Sequence, residues 1–253
     1  MSEDVKRSRI GRSLVLLVVF ALLAFGLPAV LRLVGAHEWL LGFGLGEDAF
    51  TWLFVFTGVV LVVVITMALR RRGLLRATQA LGLWPFAPQG LAVCALALLV
   101  MGLTATSLGH PFQLPALGVG LSLGLIGPFA EELLFRGFLF RQARDWAGLP
   151  FWLAATLSSL LFGIGHWSQG DTLAMSLQAA AVSFVGGVLF CWLVERWGSL
   201  WPAILLHAGM DLLWLCFLLG DSAIGGRVGN LARLAALAVV IVGTLALTRR
   251  RKA

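Results

Sequence analysis

The sequence predicts an all-α, polytopic transmembrane helical bundle of about eight spans. Hydrophobic residues make up 60% of the 253 residues and charged residues only 12%, so a water-soluble fold would leave many apolar side chains exposed. Apolar stretches of nearly twenty residues recur along the chain, and a helix of that length crosses a hydrocarbon layer of about 30 Å. We therefore expect a single integral membrane domain over residues 1–253.

The apolar stretches give approximate positions for the spans. They are 14–34, 50–69, 90–107, 115–140, 151–168, 172–194, 201–219 and 230–248. The first follows a basic segment as a signal peptide would, but it is long and lacks a small-residue cleavage site, so we interpret it as a retained span. Residues 73–88 are too short and too interrupted to span, and they predict a helix lying on the membrane surface.

The net charge of +7 comes from basic residues whose distribution along the chain indicates the orientation of the spans in the membrane. If both basic ends are cytoplasmic, fifteen of the nineteen Lys and Arg residues fall in those ends and in the loops around 70–89, 141–150 and 195–200. The positive-inside bias produces such clusters, so we expect cytoplasmic termini and no nucleic-acid partner. The three cysteines, Cys94, Cys191 and Cys216, lie inside apolar stretches without zinc-site spacing, which favours a packing role.

Three acidic residues, Glu131, Glu132 and Asp211, lie well inside apolar stretches. A charge at the centre of a spanning helix costs about 2.5–3.5 kcal/mol on insertion scales, so each one needs a reason. Glu132 and Arg136 are four residues apart in the favourable order for an ion pair. Adjacent helical residues point about 100° apart, so Glu131 does not share this partner. We expect Glu131 to be the chemically active carboxyl.

Two histidines lie in other spans. His166 ends the sequence FGIGH, whose glycines permit the close approach of a helix or a substrate backbone. His207 and Asp211 are four residues apart on one helical face. A single buried His or Glu often serves as an interhelical hydrogen bond, but these groups together exceed what packing requires. We expect them to converge with Glu131 on a hydrated pocket.

The depth of the two histidines poses a geometric problem. His207 lies about 9 Å from the start of its span on the predicted cytoplasmic side. His166 lies near the predicted outer end of its own span. The two side chains can meet only if their spans are tilted, offset or broken near the site.

Other peptidase chemistries lack their residues in this sequence. The pair His37 and Glu38 is not followed by the second histidine of an HExxH zinc motif. The only lysines are Lys6 and Lys252, near the ends, which excludes a serine–lysine dyad. No GxGD motif of a membrane aspartyl protease occurs. Glutamate and histidine remain as candidate catalytic groups.

At these positions the sequence resembles the CAAX-protease and bacteriocin-processing family of prenyl-protein endopeptidase-like membrane proteins. EExxxR occupies residues 131–136, FxxxH residues 162–166, and HxxxD residues 207–211, in the family's order and with similar spacing. The likeness covers about residues 115–219, which we expect to be the catalytic core.

The resemblance implies an intramembrane endopeptidase. Glu131, with His166, would activate a water to attack a peptide carbonyl. His207 and Asp211 would stabilise the oxyanion. The remaining pair, Glu132 and Arg136, would hold the helix in position.

Two chemical questions stay open at this stage. The resemblance implies no metal or other cofactor, but Glu, His and Asp side chains are also zinc ligands, so a zinc-dependent version is an alternative. The family often has Asn at the last motif position, whereas Asp211 donates a hydrogen bond only when protonated. Asp211 is therefore either protonated or a carboxylate that orients His207.

The expected substrate is a membrane-associated or lipid-anchored protein, met within the lipid bilayer. The composition, rich in alanine, leucine and arginine, suits a high-GC bacterium, and we expect the protein in the cytoplasmic (inner) membrane. Within the family that the sequence resembles, this composition suits a myxosortase-like enzyme that processes C-terminal sorting tails. Two alternatives are a non-catalytic immunity or scaffold protein of the same fold and a proton-coupled transporter that uses the buried Glu and His as a relay. No inverted repeat is evident, which argues against the transporter; the oligomeric state stays open.

Overall fold

The computed structural model describes residues 3–43, 47–220 and 224–248, and within these ranges all regular structure is helical. The α-helices are α1 (Glu3–Ala21), α2 (Leu27–Leu33), α3 (Ala36–Gly42), α4 (Glu47–Arg70), α5 (Leu74–Ala80), α6 (Pro88–Ser107), α7 (Leu117–Leu121), α8 (Gly127–Glu131), α9 (Arg141–Asp145), α10 (Phe151–Gly165), α11 (Leu173–Trp197), α12 (Trp201–Phe217) and α13 (Arg227–Thr248). Three π-helical segments, Leu22–Gly26, Ser122–Ile126 and Glu132–Phe140, join neighbouring α-helices, and a 3-10 turn, Trp167–Gln169, follows α10. The predicted all-α class is confirmed.

Six helices of the described part of the chain are long and apolar enough to cross a membrane. They are Arg7–Leu33, Ala49–Arg70, Pro88–Ser107, Leu117–Asp145, Leu173–Trp197 and Arg227–Thr248. The chain is therefore an integral membrane protein with several spanning helices, as predicted.

Two of the eight predicted spans correspond to shorter helices. The fifth and seventh predicted spans are α10, of 15 residues, and α12, of 17 residues, whereas a typical span has about 20 residues. Helix α10 ends within its glycine-rich sequence because glycine is a poor helix former. Helix α12 ends at Phe217, and the next residue, Leu218, has a left-handed backbone with φ 49°.

The basic segments that the charge pattern grouped together lie at one end of the bundle. Arg12 Nη1 donates a hydrogen bond to the Trp146 carbonyl oxygen at 2.9 Å, which joins α1 to the segment after α9. Arg70 Nε donates to Gln142 Oε1 at 2.7 Å, which joins α4 to α9. The basic residues 249–252 lie outside the described residues, and the cytoplasmic placement of this end stays a prediction.

The surface helix predicted within residues 73–88 is the seven-residue helix α5. Its first two residues, Leu74 and Leu75, are exposed. Arg141 Nε donates to the Ala80 carbonyl oxygen at 3.0 Å, which fastens the end of α5 to α9. This contact places α5 at the same end of the bundle as the basic segments.

Helices α10 and α11 pack closely because small residues let their backbones approach. A Cβ added at Gly163 would lie 2.5 Å from the Ala180 carbonyl oxygen, a backbone atom that side-chain movement cannot clear. A Cβ added at Gly165 would meet nothing within 4 Å. The close approach predicted from FGIGH is therefore made by Gly163 and not by Gly165.

We predict that Gly163→Ala destabilises the protein, whereas Gly165→Ala does not. The added methyl group at position 163 forces α10 away from α11, and such overpacking typically costs about 1–3 kcal/mol. The melting temperature of the purified protein in detergent, measured by intrinsic tryptophan fluorescence, checks this. Equal melting temperatures for the two variants would contradict the close backbone contact.

Candidate active site

The helix that carries the two adjacent glutamates is irregular where they lie. Helix α8 ends at Glu131, and the π-helical segment Glu132–Phe140 begins at the next residue. In a π-helix the backbone bonds span five residues, and such segments are frequent at functional sites. Ser158 Oγ on α10 donates a hydrogen bond to the Phe135 carbonyl oxygen at 2.8 Å. This contact fixes α10 against the π-helical segment.

A buried ion pair lies on the π-helical segment, as the spacing of its residues predicts. Arg136 Nη1 donates to Glu132 Oε1 at 2.7 Å, and both side chains are 0% exposed. The Arg136 guanidinium carbon lies 4.0 Å from the ring centre of Phe162 and 5.1 Å from that of Phe190. Aromatic faces attract a cation, most strongly away from water. The aromatic rings therefore supply part of the stabilisation that water would otherwise give this charge.

Gly187 on α11 leaves the space that the guanidinium occupies. A Cβ added there would lie 2.9 Å from the side chain of Ser159 and 3.1 Å from Arg136 Nη2. Both distances are shorter than ordinary van der Waals contact. The ion pair can therefore occupy its position only because residue 187 has no side chain.

His207 joins this network through its Nδ1 atom. Nδ1 lies 2.8 Å from Glu132 Oε1, the same oxygen that accepts from Arg136. Since Glu132 is paired with a guanidinium, it is a carboxylate and Nδ1 is the donor. The His207 ring is buried and stacks on Phe190, with ring centres 5.1 Å apart. The bond to Glu132 fixes both the orientation of the ring and the position of one proton.

The second ring nitrogen of His207 faces two further carboxyl groups. Nε2 lies 3.8 Å from Glu131 Oε2 and 3.6 Å from Asp211 Oδ2. Both distances exceed that of a direct hydrogen bond, and separations of this kind are often bridged by a water molecule. The Glu131 and Asp211 side chains are 40% and 45% exposed, whereas Glu132 is 0% exposed. The open side of the site therefore lies at Nε2.

His166 directly follows the last residue of α10. Its Nδ1 lies 2.9 Å from the Phe162 carbonyl oxygen, and because a carbonyl only accepts, Nδ1 is the donor. Nε2 is then the nitrogen that can take up a proton. Asp211 interacts electrostatically with His166 as well as with Glu131 and His207, so His166 lies near the same group.

Both histidines lie beside one aromatic ring: the ring centre of Phe162 is 4.5 Å from that of His166 and 5.9 Å from that of His207. Helix α10 ends one residue before His166 instead of continuing to residue 168, and α12 is only 17 residues long. Two such helices need not place their ends at opposite surfaces of the bilayer. The break near the site, one of the three arrangements that the depth problem required, is present at the end of α10.

The candidate residues are connected to different degrees. His207 lies within 4 Å of all three acidic residues that the apolar stretches contain, Glu131, Glu132 and Asp211. His166 makes its hydrogen bond to Phe162 in the preceding helix, α10, and joins the group by electrostatic interaction with Asp211.

Sequence reasoning missed a further charged residue near this group. Arg233 lies on α13 with its guanidinium carbon 4.5 Å from the Trp214 ring centre, and it interacts electrostatically with Asp211. It lies inside the apolar stretch 230–248. The rule that singled out Glu131 and Asp211, a charge within a span, identifies Arg233 equally well when it is applied to basic residues.

The zinc alternative has no preformed ligand cluster in the described ranges. Among residues 3–43, 47–220 and 224–248, no three His, Cys, Asp or Glu side chains are grouped so that they could hold a metal ion.

Comparisons with known proteins give one positive result. A protein-family model described as Type II CAAX prenyl endopeptidase Rce1-like matches residues 112–213. This range contains all six residues of the predicted site and its supporting ion pair. Comparison with curated proteins gives no match, and neither does comparison with solved structures. Residues 112–213 are therefore Rce1-like, and over this range the predicted kinship with the CAAX-protease and bacteriocin-processing family is confirmed.

Proposed function

We propose that this protein is an intramembrane endopeptidase that hydrolyses a peptide bond of a membrane-associated or lipid-anchored protein. One observation carries the proposal. His207 is held at Nδ1 by the buried carboxylate of Glu132, while its Nε2 faces the two partly exposed carboxyl groups of Glu131 and Asp211. This arrangement lies within the Rce1-like range.

Glu131 and His166 activate the water in this proposal. The Glu131 carboxylate takes a proton from water as the water oxygen bonds to the substrate carbonyl carbon. His166 Nε2, left as an acceptor by the bond from Nδ1 to Phe162, orients the same water. When the carbon–nitrogen bond breaks, the proton passes from Glu131 to the leaving nitrogen. No metal ion enters these steps.

His207 and Asp211 stabilise the negative charge that develops on the carbonyl oxygen. Nδ1 already donates to Glu132, so donation from Nε2 requires the doubly protonated imidazolium, which the Glu132 carboxylate stabilises. Asp211 supplies a second donor when it is protonated. Donors that are in place before the reaction contribute strongly in a site of low dielectric constant.

Glu132 and Arg136 act as positioning residues. Neither side chain is exposed, so neither can contact a substrate. Glu132 fixes the orientation and proton position of His207, and Arg136 neutralises Glu132 within its aromatic surroundings. Loss of either partner leaves an uncompensated buried charge, which typically costs about 3–5 kcal/mol.

The role of Glu131 is tested by Glu131→Gln. The amide keeps the size of the side chain but cannot accept the water proton, so we expect cleavage to fall at least 1,000-fold, since base catalysis and nucleophile positioning are lost together. The measurement compares membrane proteomes of a deletion strain and of strains that carry Glu131→Gln or the control Glu38→Gln. Glu38 is 71% exposed and belongs to α3, which contributes no residue to the candidate site.

The proposal expects the same unprocessed precursors in the deletion strain and in the Glu131→Gln strain, and none with Glu38→Gln. Normal processing with Glu131→Gln at normal protein abundance would overturn it and favour a non-catalytic role. A cleavage assay with purified protein, run with and without a zinc chelator, separates the metal-free chemistry from the zinc-dependent alternative.

Substitution of Asp211 distinguishes its two candidate roles. If Asp211 donates to the oxyanion, Asp211→Asn keeps a donor and retains activity within about tenfold, while Asp211→Ala loses about 100-fold or more, as removal of one oxyanion donor does. If Asp211 orients His207 as a carboxylate, Asn and Ala impair the enzyme alike. We expect the first pattern, measured as kcat on a common precursor peptide in detergent or proteoliposomes.

Whether the ion pair needs the space at Gly187 is tested by comparing alanine substitutions at Gly187 and at its neighbour Gly186. We predict that Gly187→Ala lowers kcat and the melting temperature, because the added methyl group displaces Ser159 and the Arg136 guanidinium. Gly186→Ala is the matched control, since a Cβ there meets nothing within 4 Å. Similar kcat values and melting temperatures for the two variants would show that the guanidinium does not need this space.

A further inference from the structure

The face of α10 that packs against the glutamate-bearing helix opens at its last residue. Ala154 and Ser158 lie four residues apart on this face, and both are 0% exposed. Gly165 follows Ser158 by seven residues, almost two full turns, so it lies on the same face. Gly165 is nevertheless exposed, and a Cβ added there would meet no atom of the described residues within 4 Å. The bundle is therefore closed beside Ser158 and open beside Gly165.

Two aromatic contacts show how α10 runs along the π-helical segment. The ring centre of Phe151, at the start of α10, lies 5.8 Å from that of Phe140. The ring centre of Phe162, near the end of α10, lies 5.1 Å from that of Phe135. Because the later residue of α10 contacts the earlier residue of the segment, the two run in opposite directions.

The opening lies next to the candidate active site. Glu131 is four residues before Phe135, which is about one turn beyond the second aromatic contact. Gly165 and His166 are three and four residues after Phe162, so they lie about one turn beyond the same contact. The Glu131 side chain is 40% exposed. The open place on α10 and the accessible carboxyl group therefore lie at the same level of the bundle.

A different face of the same turn of α10 is directed towards lipid. Leu160 and Ile164 are four residues apart and are 50% and 52% exposed, and exposed apolar side chains of a membrane bundle lie against acyl chains. Ile164 and Gly165 are adjacent, so they lie at nearly the same depth but point about 100° apart. Ile164 is therefore a matched reference for Gly165.

The proposed hydrolysis sets a requirement on the substrate. Its reacting carbonyl has to lie beside Glu131 Oε2 and His207 Nε2, which are 3.8 Å apart. The carbonyl oxygens inside an α-helix already accept hydrogen bonds from their own chain, so the reacting carbonyl belongs to an extended segment. Glycine lets another backbone approach closely because it has no side chain.

We propose that the substrate segment around the scissile bond binds in extended form across Gly165, where the missing side chain leaves room for its backbone. This inference rests on the proposed function and assigns it a substrate-binding cleft. Gly165 is thus a positioning residue that takes no part in the proton transfers. The two glycines of FGIGH then have separate roles, since Gly163 admits α11 and Gly165 admits the substrate.

The opening itself is tested by a labelling experiment that needs no enzymatic activity. Gly165→Cys and Ile164→Cys are compared in lipid nanodiscs, which expose both membrane faces, with a quaternary-ammonium methanethiosulfonate that does not enter hydrocarbon. The unmodified chain, whose cysteines Cys94, Cys191 and Cys216 are buried, gives the background. Because the reactive thiolate is disfavoured in apolar surroundings, we expect the thiol at position 165 to react about tenfold or more faster than that at position 164, measured by intact mass.

The role of the opening in substrate binding is tested by kinetics. The substrate is a peptide that spans the cleavage site of a precursor found in the deletion strain. We expect Gly165→Ala to raise KM several-fold and Gly165→Leu to raise it about tenfold or more, with kcat within about threefold, because the added side chain hinders the substrate and its transition state alike. The control Ile164→Phe adds volume on the lipid face and should leave KM unchanged. All three variants should keep the melting temperature of the unmodified chain.

Two results would overturn this inference and leave the proposed function standing. The first is equal labelling at positions 164 and 165 in a chain that cleaves the peptide, and the second is an unchanged KM in Gly165→Leu. If Gly165→Leu fails to fold, Gly165→Ala decides in its place. Absence of cleavage by the unmodified chain would instead overturn the proposed function, and the role assigned to Gly165 with it.

Discussion

The buried carboxylate of Glu132 is the group on which the rest of the site depends. It accepts hydrogen bonds from Arg136 and His207 on the same oxygen, and neither it nor Arg136 is exposed. An unpaired charge inside a membrane protein is costly, so the surrounding structure must keep both donors in place. Three features keep them there: the aromatic rings around Arg136, the space at Gly187, and the hydrogen bond from Ser158 to the π-helical segment.

Irregular helices bring this network within reach of the open side of the site. Helix α10, of 15 residues, ends just before His166, and α12, which carries His207 and Asp211, has only 17 residues. The glutamates lie where an α-helix becomes a π-helical segment. In the proposed mechanism, the polar residues therefore lie at the points where the helices depart from regular geometry.

The features that sequence reasoning predicted are the local ones. Apolar stretches identify helices because helix length must match the bilayer, and the pair Glu132 and Arg136 follows from four-residue spacing. The bond between Glu132 and His207 joins residues 75 positions apart, and no single-sequence pattern encodes that pairing. The hydrogen bond from Ser158 to the Phe135 carbonyl oxygen of the π-helical segment is likewise a contact between residues far apart in the sequence.

The contrast between two adjacent glutamates gives the proposed chemistry its division of roles. Glu132 is fully buried and its charge is neutralised by a guanidinium, whereas Glu131 is 40% exposed and lies 3.8 Å from His207 Nε2. A general base must reach water and must be free to accept a proton. Glu132 meets neither condition, while Glu131 meets both. One residue step along the helix, about 100° of rotation, thus separates a carboxylate that holds the imidazole from a carboxylate that can take a proton beside it.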